Sequence, residues 1–417
     1  MDSFDCLTSV VVFEDAFVSA ICENREGSFL CRFKMRRYAQ DAMIYLDHNS
    51  TTPVLPEARE AMMPFLTSEW GNPSSAYRFG ARAKTAIESA REQVAGFIGA
   101  ERSEIVFTSC ATEANNAAIH SAISSNPKKR HIITSQVEHS SVLHFCEILS
   151  NRGYDVTYLS TSPEGLIDPR ELEETIRPDT AVVSLMWANN ETGVISPIRE
   201  IGEICTRRKV FFHCDAVQAV GKVPVSFRAL EIDSLALSGH KLGAPKGVGG
   251  LVVRNGLPFH PLIVGGKQES GRRGGTESVP LIVAFGAACE AAHRRPLSAW
   301  DQVSRMRDAL EGNLLATVHG AYRNGCASPR LPNTLNFGIR EIDSDLLVTY
   351  CDANGICVSS GSACMESAIT PSHVLLAMTG SHSRASEAVR VSLGLESKPD
   401  ELARLVALLQ QFLVLAR

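Results

Sequence analysis

Five places in the chain set reactive or hydrogen-bonding side chains just after short apolar, β-branched runs. Cys110-Ala111-Thr112-Glu113 follows EIVFTS, Glu138-His139 follows HIITS, and Asn189-Asn190-Glu191 follows AVVSLMW. Asp215 with Gln218 follows VFFHC, and Ser238-Gly239-His240-Lys241 follows SLAL. Each signal is weak alone, since an Asp or Ser after a strand is more often a helix cap than a catalyst and a single lysine is commonly a solvated loop residue. Gathered on one rim, they make a more specific inventory. Helix N-terminal N–H groups and hydroxyls hold an anion, a carboxylate keeps a ring nitrogen protonated, and a lysine amine forms a Schiff base with an aldehyde. That set suits pyridoxal phosphate, with Lys241 and Asp215 as the natural lysine and carboxylate.

What must bring them together is a parallel sheet. The runs 104-EIVFTS, 131-HIITS, 155-DVTYLS, 181-AVVSLMW, 210-VFFHCDA, 234-SLALS and 250-GLVV alternate with helical patterns at 77–98, 111–123, 140–150, 169–176 and 197–208. Strand, helix, strand at this spacing predicts an α/β fold with a mainly parallel sheet covered on both faces, and ligands at the carboxyl ends of its strands. Pro169 and Pro197 fit the first turns of two of the helices. After Val253 the alternation fades. A Gly-rich basic loop, 265-GGKQESGRRGGT, and a helix over 279–292 follow, Arg295-Pro296 is a plausible boundary, and the remainder predicts a smaller α+β unit: a helix at 298–317, strands near 334–339 and 356–359, and a last helix at 400–416. Residues 1–42 show no clear period. They read as an N-terminal extension, either disordered or the product of a start assigned upstream of Met35 or Met43.

Ten motifs in register make the sequence similar to a known family: 45-YLDHNSTTPV, 71-GNPSSAYRFG, 108-TSCATEANN, 137-VEHSS, 187-WANNETGV, 213-HCDAVQAVGK, 238-SGHKLGAPKGVG, 274-GGTES, 359-SSGSACMES and 390-RVSLG. From about residue 43 onward the chain resembles the class V aminotransferases, and within them the cysteine desulfurases of the NifS/IscS type. The resemblance implies a PLP-dependent transferase fold of type I. Its large domain, 57–295, would carry a seven-stranded sheet, and its small domain would combine 43–56 with 296–417.

The resemblance also implies roles. Lys241 would be the pyridoxal phosphate lysine, Asp215 the partner of the pyridine nitrogen, and Gln218 a donor to the ring hydroxyl. His139 would stack on the ring and serve in proton transfer. Ala111, Thr112, Ser238 and His240 would hold the phosphate, with Thr276 supplied by the second subunit of a homodimer. Asn190 and Arg390 would bind the substrate, Arg390 clamping its carboxylate. Cys364, in the small-residue run SSGSAC, would take sulfur from L-cysteine as a persulfide, leaving L-alanine. The 25 residues from Met365 to Val389 resemble desulfurases whose cysteine rides a long loop and delivers sulfur directly to acceptor proteins, such as an iron–sulfur scaffold or a sulfur carrier for tRNA thiolation. No resident metal is expected, beyond transient ligation of iron–sulfur by Cys364 during transfer. Against the resembled family two departures are expected: the C-terminal extension by which IscS proteins dock the scaffold is expected to be missing after Arg417, and Cys110 stands where many relatives carry glycine. The rival activities are a selenocysteine lyase, which shares cofactor, lysine and cysteine, a class V aminotransferase, in which Cys364 has no task, and a non-catalytic partner that keeps the fold.

Composition bounds the rest. At 417 residues the chain suits two or three domains. With 44% hydrophobic and 21% charged residues it is an ordinary globular sequence, and a net charge of −5 offers no general attraction to nucleic acid or anionic lipid. Twelve cysteines are far too few for a disulfide scaffold, and none are paired at C-x₂₋₄-C zinc spacing. Apart from Cys364 they predict packing or surface thiols in a reducing compartment. No run is long and apolar enough to suggest a membrane span. The patch Leu7–Phe13 is preceded by Asp2 and Asp5, and acids recur through Glu26, which disfavours secretory and mitochondrial leaders. The expected location is cytoplasmic.

Overall fold

The computed structural model describes residues 43–326, 329–360 and 371–415, together with the backbone of 11–14, 17–24 and 27–34. Those three short segments are strands β1 (Val11–Glu14), β2 (Phe17–Asn24) and β3 (Gly27–Lys34), paired antiparallel in the order β1-β2-β3. The sequence reading saw no period there, because successive apolar residues such as Val10-Val11-Val12-Phe13 do not alternate as a half-buried strand does.

From β4 (Ile44–Tyr45) the chain enters helices α1 (Pro56–Thr67) and α2 (Arg78–Ile98) and then a strand–helix series. This runs β5 (Ile105–Thr108), α3 (Ala111–Ser125), β6 (His131–Ser135), α4 (Ser140–Asn151), β7 (Asp155–Leu159), α5 (Pro169–Thr175), β8 (Thr180–Met186), α6 (Ile198–Arg208), β9 (Phe211–Asp215), β10 (Ser234–Ser238) and β11 (Gly249–Val253). The seven strands β5–β11 form one sheet, ordered β5-β11-β10-β9-β8-β6-β7. All its pairs are parallel except the two made by β11. Every residue of β5, β6, β8, β10 and β11 is buried, as strands covered on both faces must be, whereas the edge strand β7 exposes Asp155 and Tyr158.

The covering helices show why they form. In α2 the buried Ala83, Ile87, Ala90, Val94 and Ile98 recur at helical spacing, and Gly99 ends the helix at φ 67°, a left-handed conformation that suits glycine. Pro169 opens α5 as expected, but Pro197 is the residue before α6, which begins at Ile198. Helix α7 (Val279–Arg294) closes this part.

The second part contains α8 (Ala299–Thr317), β12 (Ala321–Asn324), β13 (Thr334–Ile339), α9 (Ser344–Ala353), β14 (Ile356–Cys357), β15 (Ser359–Ser360), α10 (His373–Thr379), α11 (His382–Ser386), β16 (Ala388–Ser392) and α12 (Pro399–Leu415). Of these, β12, β16, α9, α10 and α11 are absent from the sequence reading. Strands β12-β13-β16-β15 make an antiparallel sheet, and β4 pairs in parallel with β14. Its separate core joins Leu335, Phe337, Val389 and Val391 to Leu405, Leu409 and Phe412, and also takes in Ile44 and Leu46. The chain therefore runs from the second core into the first just before α1. Among the described residues no helix is long and apolar enough to cross a membrane.

The Gly-rich loop is held against the large sheet. Arg91 makes a bidentate pair with Glu269, at 2.6 and 2.8 Å, and Glu269 also accepts the N–H of Phe107 at 2.9 Å. Glu269 and Ser270 adopt positive φ of 49° and 58°. Arg273 reaches Glu113 in the first turn of α3 at 2.9 Å, and Glu113 accepts from the Ser109 N–H and hydroxyl. Burial pushes the Glu113 carboxyl up, but the bonds from Arg273 and Ser109 outweigh it and hold the group below the usual range. The turn entering α3 is thus braced from outside.

Candidate active site

At the carboxyl ends of the strands lies a cavity of about 260 Å³. Its wall includes Ala111 and Thr112 from the start of α3, His139 before α4, Asn190, Asp215 and Gln218 after β9, Ser238 and Lys241 after β10, His240, and Arg390 from β16. Eleven of the twelve positions expected from sequence are described, and ten of them meet here. Thr276 is exposed and outside the lining. Cys364 lies outside the described residues. Two larger cavities, about 970 and 390 Å³, flank Trp300 and are lined mainly by apolar side chains.

Cys110, the residue before α3, provides no side-chain cap, and Ala111 and Thr112 of the first turn line the cavity, so the first-turn N–H groups, which have no intrahelical partner, are available to a ligand there. A Cβ at Gly249 would come within 2.7 Å of the Cys110 carbonyl carbon, so only glycine lets β11 pass beneath this turn. Beside it stand the Ser238 hydroxyl and His240, whose Nδ1 lies 3.2 Å from the Thr51 hydroxyl. Burial, with Lys241 and Lys246 nearby, drives the His240 imidazole down to about 4, so it is neutral. Uncapped amides, hydroxyls and a neutral imidazole fit a phosphate group.

Asp215 is buried, and both its oxygens accept: Oδ1 from Val217 N–H at 3.0 Å and Oδ2 from Asn115 at 2.7 Å. Gln218 donates to the Asn49 carbonyl at 2.9 Å and accepts from Lys222 at 2.8 Å. Lys222 is buried. Desolvation, then the neighbouring Lys241 and Arg390, bring its amine down to about 7. Lys241 donates to the carbonyls of Asn49 and Ser50, the latter at 2.5 Å. Burial holds His139 below the ordinary imidazole value, Asp215 opposing and Lys241 reinforcing the shift. These groups match the needs of pyridoxal phosphate: a carboxylate for a ring nitrogen, an amide for a ring hydroxyl and an amine for an aldehyde.

Arg390 is 2% exposed. Its Nη1 donates to the Asn190 carbonyl at 3.1 Å and its Nη2 to Asp47 at 2.7 Å, while Nε has no partner. The guanidinium therefore keeps donors for an incoming carboxylate, although Asp47 already occupies one face of its fork.

Several participants went unread in the sequence. Asn49 bridges the two parts, donating to Thr334 and to the Asn190 carbonyl and accepting from Lys222 and Asn333. Its motif, 45-YLDHNSTTPV, was visible, but nothing in it announced contacts 141 and 285 residues away. Asn115 and Ser141 likewise looked like ordinary helix residues. Glu138 and Glu191 are fully buried, and desolvation pushes them up to about 8 and about 7. A carboxyl with a raised folded value keeps its proton after the unfolded chain has lost it, so its stabilisation falls as pH rises from about 4.5 to about 8. Accordingly Glu138→Gln is expected to gain on the parent protein over that window, its melting temperature relative to wild type rising from pH 5 to pH 8. A scanning-fluorimetry series across pH checks this; a constant difference would remove Glu138 as the source.

The eight cysteines described are all free, six of them buried. Burial raises the thiols of Cys146, Cys205 and Cys351 to about 12, which keeps them protonated and unreactive. Cys110 lines the cavity, and nothing in the structure explains why a thiol stands there.

Comparison with known proteins agrees with this geometry. Residues 44–405 match the aminotransferase class-V family. A cysteine desulfurase of Trichormus azollae is 50% identical over 352 residues, covering 84% of this chain and 88% of the relative. A solved structure described as a NifS-like protein superposes with a TM-score of 0.84 at 36% identity, covering 89% of this chain and all of the other. Another, described as SspA in complex with cysteine, gives 0.75 at 38% identity over 84% of this chain and 98% of its own. The sheet, the strand-end site and the match over most of the sequence converge: the chain belongs to the aminotransferase class-V family.

Proposed function

We propose that the protein is a pyridoxal phosphate-dependent cysteine desulfurase, which converts L-cysteine to L-alanine and keeps the sulfur as a persulfide on Cys364. The observation that carries this reading is the meeting of Lys241, Asp215, His139 and Arg390 around one uncapped helix N-terminus. The residues would hold the cofactor as follows: the α3 amides, Thr112, Ser238 and His240 at the phosphate, Asp215 at the ring nitrogen, Gln218 at the ring hydroxyl and Lys241 at the aldehyde. When bound, the cofactor supplies an electron sink for the pair left at the substrate α-carbon. Arg390 and Asn190 orient the substrate through its carboxylate. The Lys241 amine accepts the α-proton, and His139 serves the later proton transfer. The Cys364 thiolate attacks the substrate sulfur; the substrate Cβ–S bond breaks, an S–S bond forms, and a proton goes to Cβ.

Further elements belong to the same proposal. Residues 57–295 form the cofactor domain, while 43–56 with 296–417 form the second domain; two copies pair so that Thr276 of one serves the site of the other. The buried, unpaired thiols support a reducing, cytoplasmic setting. The sulfur leaves to an acceptor protein, either an iron–sulfur scaffold or a sulfur carrier.

The test is mass spectrometry of the holoenzyme after mixing with L-cysteine. The peptide containing Cys364 is expected to gain the mass of one sulfur atom, removable by dithiothreitol, with alanine formed alongside. Amino-group transfer to a keto acid without that gain would instead favour an aminotransferase.

A further inference from the structure

Asn115 has no part in the chemistry above, yet it is completely buried at the centre of the site. Its Nδ2 donates to Asp215 Oδ2 at 2.7 Å and to Ser141 Oγ at 2.9 Å, and its Oδ1 lies 2.9 Å from His213 Nε2. Because Asp215 accepts on both oxygens, the amide can sit only one way, nitrogen toward Asp215 and oxygen toward His213. Burial takes His213 down to about 4, so the ring is neutral; its single proton lies on Nε2, and the Ser234 hydroxyl donates to Nδ1 at 2.8 Å.

The second branch reaches the catalytic histidine. Ser141 Oγ accepts from Asn115, so its own proton turns to His139 Nδ1, 2.8 Å away. The same nitrogen accepts the Ser141 backbone N–H at 3.1 Å. With two donors on Nδ1, a neutral His139 must carry its proton on Nε2.

We propose that Asn115 is a positioning residue that ties Asp215 to His139 and, through Ser141, fixes His139 as its Nε2–H tautomer, so that His139 acts first as a proton donor and leaves removal of the α-proton to Lys241. The chain of donors runs in one direction from a carboxylate that cannot reverse it. The role of His139 rests on the desulfurase reading; its tautomer can be observed without turnover.

The experiment is nuclear magnetic resonance of holoenzyme labelled with ¹⁵N in the histidine rings, the His139 signals being those lost in His139→Gln. In the wild type, Nε2 is expected to be protonated and Nδ1 not. Ser141→Ala removes one of the two donors that favour the neutral ring, so the His139 titration is expected to move up by roughly half a unit to one unit. Asp215, Lys241, His144 and His373, the charged and titratable groups around the ring, stay in place. Ser141→Thr keeps the hydroxyl and is expected to restore the parent value, which a purely structural effect of substitution would not do. Asn115→Leu keeps the Ser141 hydroxyl but removes what orients its proton, so a smaller shift in the same upward direction is expected; if it does not fold, the Ser141 pair decides. A proton on Nδ1 in the wild type, or no shift in Ser141→Ala, overturns the proposal. Normal alanine formation with an Nδ1–H ring would overturn this coupling alone. The expected tautomer in a holoenzyme that forms no alanine would sustain it and overturn the desulfurase reading.

Discussion

Lys241→Ala is expected to lower alanine formation from cysteine by about a thousandfold or more, the upper range for loss of a positioned acid–base group. Lys241 follows β10 directly, in the turn Gly239–Lys241, and its amine lies against the carbonyls of Asn49 and Ser50 at the junction of the two parts. In the proposed mechanism it would have two tasks, holding the cofactor's aldehyde end and accepting the α-proton, and both would fail together. Lys246, five residues on, is not part of the cavity wall and cannot replace it. The measurement is a rate assay with an absorbance spectrum of the purified variant. The variant should also lack the borohydride-sensitive visible band of a lysine-linked cofactor. Retention of more than a tenth of the activity would exclude Lys241 from both tasks.

Asp215→Asn is expected to reduce kcat by about a hundredfold to a thousandfold, with little change in KM. The carboxylate is buried and held at both oxygens, so it is preorganised to offset positive charge on a ring nitrogen. In the proposed reaction the bound cofactor would supply an electron sink, and Asp215 would contribute most in the transition state, not in the bound substrate. The asparagine keeps shape but not charge, and its single amide oxygen cannot accept from both Asn115 and the Val217 N–H, so one of these donors would face the NH₂ group. Steady-state kinetics, with circular dichroism to verify the fold, checks this. A loss confined to KM would make Asp215 a substrate-binding group only.

The strand-end residues were legible because a parallel sheet follows from local signals. Apolar runs such as AVVSL and SLALS, separated by helical patterns, place Asp215, Ser238 and Lys241 on one rim whatever the side-chain details. The antiparallel excursion of β11, which continues the sheet between β10 and β5, did not alter that placement. The second part was harder to read. β16 is only five residues long, and its central Arg390 is among the largest fully buried side chains. A buried arginine breaks the apolar pattern by which a strand is recognised, and it is tolerated because Asp47 and the Asn190 carbonyl, 343 and 200 residues away, receive it. The pairing of β4 with β14 is invisible for a different reason, since two residues carry no period.

The sequence by itself determined the fold class, the family resemblance and most of the chemical inventory: an amine, a carboxylate, an imidazole, an arginine and a helix N-terminus at predictable chain positions. Only the tertiary structure decided how these groups are held. Asn49 joins the two parts, Asp47 takes one arm of Arg390, and Asn115 lies between Asp215 and the neighbours of His139. Local sequence sets backbone conformation and the burial pattern. The direction of a hydrogen bond, and with it the position of a proton, depends on which distant donors and acceptors are brought within 3 Å and left no water to satisfy them.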